Sequence, residues 1–278
     1  MQKAIYKYIA SLLKYWRKGE KRMIRLVVSD IDGTLIHTTD GPVPAAVFEQ
    51  ISRLRAKGII FAPASGRQYR SLRRLFAPLA GELHYICENG AVVFGPGSPG
   101  AVLSKVVMEH GEAMALARKI VETPDCELFM SGTNTSYLCP KGPEIVTLMR
   151  DRVRNNVVLL KRPEDVPEAV VKVSAYRPGA AETLIPVLTP HFGEVFNAAI
   201  AGDGWLDFTL ADKGLGLRRL CAALGIDAQD VMAFGDNYND LPMLAAAGHP
   251  YIMSTASPEL LPLVENKCRN VAEVLAAL

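Results

Sequence analysis

The sequence has no CxxC pair among its five cysteines (Cys87, Cys126, Cys139, Cys221, Cys268), and its five histidines show neither HxH nor HExxH spacing. Those absences argue against a zinc site, and scattered thiols fit a reducing cytoplasm better than a disulfide framework. No apolar run is long enough and free enough of lysine to span a bilayer. A broad basic face is missing as well. Residues 1–23 carry seven Lys or Arg against Glu20 alone, so a formal net charge of +2 for the whole chain leaves −4 on the rest. A mildly acidic body lacks the electrostatic footprint that nucleic-acid binding needs, and no nucleic-acid partner is expected. Apolar residues are abundant, 49% of 278 against 22% charged. That is enough for one sizeable core or two domains, and disorder is not expected.

The basic segment "MQKAIYKYIASLLKYWRKGEKRM" sets Ile5, Ile9, Leu12 and Trp16 at helical spacing, with Lys3, Lys7, Lys14 and Lys18 mostly elsewhere. This is the pattern of an amphipathic helix over 1–23. Basic residues follow its apolar part where a small-residue cleavage site would stand, which argues against secretion. Contact with an anionic membrane surface is the minority reading; docking on protein, or translation starting at Met23, are the others.

From Ile24 the pattern is strand, loop, helix, repeated. "IRLVVSD" is a continuous apolar run of the kind a strand buried on both faces shows, "AAVFEQISRLRAKG" a helix closed by Gly58, and "IIFAPASGR" a second strand breaking into a loop. "QYRSLRRLFAPL" reads as a helix and "HYICENG" as a strand, and the same alternation returns in "KGLGLRRLCAALG", "DVMAFGDNYND", "LPMLAAAG" and "PYIM". The expected fold is α/β, a doubly wound, Rossmann-like parallel sheet assembled from both ends of the chain, residues 24–107 and 209–278. Residues 108–208 change character: helices "EHGEAMALARKIVE" and "GPEIVTLMRDRVRN" alternate with short strands "CELFMS", "TSYLCP", "AVVKVSAY", "EVFNAAIA" and "WLDFTL". They are read as an inserted α+β cap domain. "GPGSPG", Gly95 to Gly100, reads as a turn between two strands.

In an open parallel sheet, ligands bind beyond the carboxyl ends of the strands. The residues following each apolar run are Asp30, Asp32 and Thr34; Ser65, Gly66 and Arg67; and Asp236, Asn239 and Asp240, with Lys213 opening a helix nearby. Asp30 and Asp32, one residue apart, repel each other unless a cation or a proton intervenes. Converging carboxylates without histidine or cysteine suit a hard, oxygen-loving cation, of which Mg²⁺ is the usual occupant. Ser65, just before a helix, can offer a hydroxyl and neighbouring N–H groups to an anion. Lys213 in a first helical turn opposes the helix dipole at a cost of about 0.3–1 kcal/mol, a sign that a phosphate in front of it would reverse. Singly, DxDG reads equally as a turn, SGR as a helix cap and Lys213 as a solvated surface residue; in order, each at a strand end or helix start, the four favour function.

The set "DIDGTL", "SGR", "DKG" and "GDNYND" resembles the haloacid dehalogenase superfamily of phosphohydrolases, and a cap between the second and third motifs is similar to its Cof-type branch with a large α/β cap. The resemblance spans Ile24 to Leu278 and omits the N-terminal segment. It implies that Asp30 is the nucleophile and Asp32 the general acid and base. Ser65 and Lys213 would hold the phosphoryl group; Gly66 belongs to the same subsite. Asp30 and Asp236 would ligate Mg²⁺ with the backbone carbonyl of Asp32, and Asn239 and Asp240 would orient the phosphate, Lys213 or metal-bound water. Thr34, Arg67 and Asn89 are supporting residues, with Glu88 beside Asn89 at the mouth of the site. Ser65 stands where the branch often has threonine, and "PYIMSTAS" and a short tail replace the usual text near the entrance, which bears on substrate rather than catalysis. The cap is expected to set specificity, with Arg152, Arg154, Lys172 and Arg177 weighed as contacts to a second anionic group against plain surface charge.

The function expected is a Mg²⁺-dependent cytoplasmic phosphatase acting on a small phosphorylated metabolite such as a sugar phosphate. A phosphotransferase or phosphomutase using the same aspartyl phosphate is the alternative, and a silent phospho-ligand-binding regulator a third reading. A signalling receiver would place an acidic pair after strand one and its phosphorylated aspartate after a later strand, an order this chain does not have.

Overall fold

The computed structural model describes residues 23–37, 41–201 and 204–278; the amphipathic helix expected over 1–23 lies outside them, Met23 apart. In chain order the elements begin with β1 (Leu26–Ser29), α1 (Ala45–Ala56), β2 (Ile60–Pro63), α2 (Tyr69–Leu75), β3 (Tyr85–Cys87), β4 (Val92–Gly97) and β5 (Gly100–Lys105). Next come α3 (His110–Glu122), β6 (Glu127–Ser131), β7 (Ser136–Leu138), α4 (Pro143–Val146), β8 (Val157–Leu159), β9 (Lys172–Tyr176), α5 (Ile185–Val195), β10 (Asn197–Ala201) and β11 (Trp205–Thr209). The chain closes with α6 (Lys213–Leu224), β12 (Val231–Gly235), α7 (Leu241–Ala246), β13 (His249–Met253), β14 (Asn266–Cys268) and α8 (Val271–Ala276).

Two compact units emerge. The first comprises the described residues up to Ser65, Leu72–Ser104 and Asp212–Leu278; the second comprises Gly66–Ser71 and Lys105–Ala211. In the first, a five-stranded sheet runs β14-β13-β12-β1-β2, every neighbour parallel. Alternation of side chains sends Leu26, Val28, Ala62 and Ala64 to one face, packed with Leu217 and Leu220 of α6 and Leu241 and Leu244 of α7. On the other face Phe61 meets Phe76, which stands edge-on to Phe48 of α1. With helices on both faces, the unit is doubly wound and Rossmann-like. A fully buried side chain of this size contributes about 1.5–3 kcal/mol.

One strand departs from the expected parallel alternation. β3 pairs antiparallel with β4, in a three-stranded sheet β3-β4-β5, and meets the parallel sheet at the Ala64–Ile86 bridge. Pro63 is the reason. Ile60 and Ala64 donate their amides toward β1 while Ser65 donates to Ile86, so position 63 would donate toward β3, and proline has no N–H to give. Of "GPGSPG", Gly95 to Gly97 end β4 and Gly100 begins β5, so the turn between the two strands is Ser98 and Pro99.

The second unit carries a six-stranded sheet, β10-β11-β9-β6-β7-β8, antiparallel except where β7 meets β8. Helices α3 and α5 supply Leu116, Ile120, Leu188 and Phe192 to its main core. Two segments differ from the periodicity reading. Residues expected as one helix, "GPEIVTLMRDRVRN", form the short α4 followed by a π-helical turn, Thr147–Arg152. "EVFNAAIA" begins inside α5, which continues to Val195 although Pro190 removes one of its internal bonds. Gly66–Ser71 is stitched into this unit by polar contacts: Gln68 donates to Ser136 Oγ (2.9 Å) and accepts from the Asn156 amide (2.8 Å), and Ser71 donates to the Val153 carbonyl (3.0 Å). Among the described residues no helix is long and apolar enough to cross a membrane.

Candidate active site

The carboxyl end of β1 delivers Asp30, and the end of β12 delivers the loop Asp236–Asp240. β1 and β12 are hydrogen-bonded neighbours in register, and the Asp30 amide donates to the Phe234 carbonyl at 2.9 Å. Adjacent parallel strands end side by side, so residues about 200 positions apart meet. Lys213, the first residue of α6, reaches in from the helix start. Its Nζ donates to Asp30 Oδ1 at 2.5 Å and to Asp240 Oδ1 at 2.6 Å, with the side chain 1% exposed. Asp240 in turn accepts the Asp236 and Asn237 amides on Oδ2, both at 3.0 Å. Both its oxygens thus accept hydrogen bonds, one from Lys213 and the other from the loop amides. The dipole cost expected of a lysine at N1 is offset by two carboxylates and by the N-cap Asp212, which accepts the Leu215 amide.

Thr34, buried, donates to Asp236 Oδ1 at 3.0 Å. Gly33, directly after Asp32, has φ +94°, and a Cβ there would run into the Asp236 carboxylate. Glycine is thus required twice over, by conformation and by space. Asp32 lies in the tight turn held by Gly33 N–H to Ile36 O (2.8 Å) and is exposed. Ser65 is buried after β2; its carbonyl accepts the Asn89 amide at 3.0 Å, and Asn239 reaches Asn89 Oδ1 at 3.4 Å. Gly66 and Arg67 belong by their contacts to the second unit. Gly90 was not singled out in the sequence. At φ +94° it lies against the Asp212 carbonyl, where a Cβ would overlap it, so the "ENG" turn brings the end of β3 close to the start of α6; that tripeptide after a strand was its only signal.

The electrostatics are unbalanced. Burial, then the charge of Asp240, push the Asp30 carboxyl well above its ordinary range; Lys213 pulls the other way and Asp236 adds to the rise. Asp236 is raised too, by burial and by Asp240. Those carboxylates and the hydrogen bonds they accept outweigh burial at Lys213 and hold its ammonium well above the usual lysine range. Carboxylate oxygens of Asp30, Asp236 and Asp240 lie within 4.8 Å of one another, and Asp30 Oδ2 is buried without a hydrogen-bond partner among the described residues. An all-oxygen donor set with one buried oxygen to spare fits a small hard cation such as Mg²⁺, with Asp30 and Asp236 as the donors left over once Asp240 is committed to nitrogen. The side chain of Asp32 is outside this cluster.

Of the four basic residues weighed in the second unit, Arg152 and Arg154 are exposed, and Arg177 is tied to the Asp125 carbonyl (3.2 Å) and Thr183 Oγ1 (2.7 Å). Lys172 is buried rather than a surface charge.

Comparison with known proteins identifies the family. Residues 27–274 match the haloacid dehalogenase-like hydrolase family. The 5-amino-6-(5-phospho-D-ribitylamino)uracil phosphatase YbjI of Escherichia coli strain K12 is 27% identical over 245 residues, 84% of this chain and 86% of that protein. An HMP-PP phosphatase of Enterobacter sp. strain 638 is 28% identical over 272 residues, covering 90% and 93%. A solved structure from Eubacterium rectale superposes with a TM-score of 0.81 at 28% identity, over 92% of this chain and 99% of its own. With its motifs at the carboxyl ends of a parallel sheet and a match across nearly its full length, the chain belongs to the haloacid dehalogenase-like hydrolases, in their Cof-type branch.

Proposed function

We propose that the protein is a phosphatase of small phosphorylated metabolites, a sugar or polyol phosphate being the best-fitting class, and that it works through a phosphorylated Asp30. The single observation that carries this is the buried Lys213 bridging Asp30 and Asp240 while Asp30 Oδ2 stays unpartnered. That arrangement presents a carboxylate oxygen beside fixed positive charge, which is what attack on a phosphate ester requires. The relatives support the substrate class, since one is named for a phosphorylated ribitylamino compound.

In the first step an Asp30 carboxylate oxygen forms a bond to phosphorus as the ester P–O bond breaks, and Asp32 gives its proton to the departing alcohol oxygen. In the second, water attacks phosphorus with Asp32 taking its proton, and the acyl phosphate P–O bond breaks to regenerate Asp30. Exposure of Asp32 suits a group that must reach both the leaving oxygen and water. Lys213 and the Ser65 hydroxyl, with the amide of Gly66, hold the phosphoryl oxygens; Asn239 and Asn89 support that subsite; Thr34 orients Asp236. Bound Mg²⁺, held by Asp30 and Asp236 with the Asp32 carbonyl, supplies neutralisation of the phosphate charge. The segment from Lys105 to Ala211 is proposed as the cap that chooses among substrates.

The test is inorganic phosphate release from p-nitrophenyl phosphate and a panel of sugar phosphates, with Mg²⁺ and with a chelator, wild type beside Asp30→Asn. Metal-dependent release that disappears in Asp30→Asn is expected. No turnover of any phosphate ester overturns the reading, and p-nitrophenol release that needs an added acceptor sugar, with the phosphoryl group recovered on that sugar and no inorganic phosphate freed, makes the protein a phosphotransferase.

A further inference from the structure

Lys172 begins β9 and is 5% exposed. A lysine that deep needs a reason, because burying an ammonium is costly unless it is paired and hydrogen-bonded. Its charge is met by Asp207 on the neighbouring strand, Nζ to Oδ2 at 3.6 Å, and the other oxygen of Asp207 accepts from Ser174 Oγ at 2.6 Å. The register explains the meeting: Asp207 lies directly opposite Ser174 and diagonally from Lys172, on one face of the sheet. The ion-pair distance is long, and the shorter contact of Lys172 is its hydrogen bond to the Gly66 carbonyl at 3.0 Å. This lysine is thus aimed at the backbone of the "SGR" loop, 106 residues earlier.

Gly66 has no side chain with which to anchor itself, and its backbone is the least restricted of any residue. A peptide unit is rigid and planar, so gripping the Gly66 oxygen fixes the whole Gly66–Arg67 plane and points the Arg67 N–H the opposite way. Fixing that plane also limits the rotation of Gly66, whose own N–H is bonded through one peptide to Ser65.

We infer that Lys172 is a positioning residue for the phosphate-binding loop: by holding the Gly66 carbonyl it presets the Ser65–Gly66–Arg67 backbone to receive a phosphoryl group. The inference rests on the proposed phosphatase reading, in which that loop holds the phosphoryl oxygens. It assigns the buried lysine neither to the chemistry nor to recognition of the substrate's leaving group. Loss of Lys172 weakens every phosphorylated ligand alike, inorganic phosphate included.

The experiment measures the inhibition constant of inorganic phosphate, with KM and kcat for p-nitrophenyl phosphate and one sugar phosphate, in Lys172→Met and in Lys172→Met/Asp207→Asn. The double variant removes both charges together and so avoids leaving Asp207 as an unpaired buried charge. Ser174→Ala is the control, since it cuts the same network without touching the Gly66 contact. Expected is a rise of about tenfold in the phosphate inhibition constant, equivalent to about 1.4 kcal/mol, in both Lys172 variants, a parallel rise in KM for both esters, and no such rise in Ser174→Ala. A lower melting temperature with an unchanged phosphate constant makes Lys172 merely structural and overturns the inference. So does a rise in KM confined to the sugar phosphate, which would assign Lys172 to the leaving group. Inactive wild-type protein, by contrast, overturns the phosphatase reading itself.

Discussion

Two buried lysines sit in opposite electrostatic situations. In the α+β unit Lys172 stands beside Asp207, whose two oxygens meet Lys172 and Ser174. In the parallel-sheet unit Lys213 faces Asp30 and Asp240 with Asp236 close by, three carboxylates to one ammonium, and an oxygen of Asp30 is left without a donor. A fold that only needed to hold itself together would balance the second group as it balances the first, because uncompensated buried charge costs several kcal/mol. Excess negative charge beside a lysine held in place is what the proposed reading, a cation and an anionic ligand received at this group, accounts for.

The contrast breaks most visibly in turnover. Asp30→Asn should bring phosphate release to background. Asp32→Asn should lose about 10²–10⁴ while its thermal melt stays near wild type, the side chain being exposed. An active Asp30→Asn protein would move the nucleophile elsewhere.

Next in size is stability. Lys213→Met leaves Asp30 and Asp240 without their shared cation and should cost about 3–5 kcal/mol in urea denaturation, as breaking a buried pair does. Adding Asp240→Asn should recover part of that, and no loss at all would mean that the carboxylates simply protonate. Metal sharpens the same point: Mg²⁺ at about a hundred times its dissociation constant should stabilise wild type by about 2.7 kcal/mol, read as a higher melting temperature. Asp236→Asn should lose most of this gain.

The smallest effect expected lies in the balanced unit. Burial raises Glu168, yet hydrogen bonds from the Thr133 amide and hydroxyl and from Tyr137 outweigh it and hold its carboxyl below the usual range. A group with a depressed folded-state value contributes fully above its unfolded value, about 4.3, and loses that contribution as pH falls through the folded one. Glu168→Gln should flatten the acid limb of stability between about pH 5 and pH 3 by less than about 1 kcal/mol. An unchanged acid limb would mean that the network does not outweigh burial.

The parallel sheet was legible because its strands are buried on both faces and read as unbroken apolar runs. Its helices end at signals such as Gly225 in the left-handed conformation after α6. The residues at the strand ends were legible for the same reason, and Asp30, Thr34, Lys213, Asp236 and Asp240 do meet. What misled were segments whose pairing depends on a partner rather than a period. β3 reads like any buried strand, and only the missing amide of Pro63, seen with its register, shows why it leaves the parallel sheet. The helix at Ile185–Val195 contains two prolines that mark a break in sequence, yet packing on the sheet carries it through.

By itself the sequence determined where chains of like polarity end and which acidic, hydroxyl and basic groups stand there, since burial on both faces and turn chemistry are local properties. The tertiary structure alone decided how charge is shared among those groups: that Asp240 accepts from Lys213 and the loop amides, that Asp30 keeps an oxygen with no donor among the described residues, and that Lys172 donates to the Gly66 carbonyl. Such assignments depend on distances of a few ångströms between residues far apart in the chain, and no spacing along the chain encodes them.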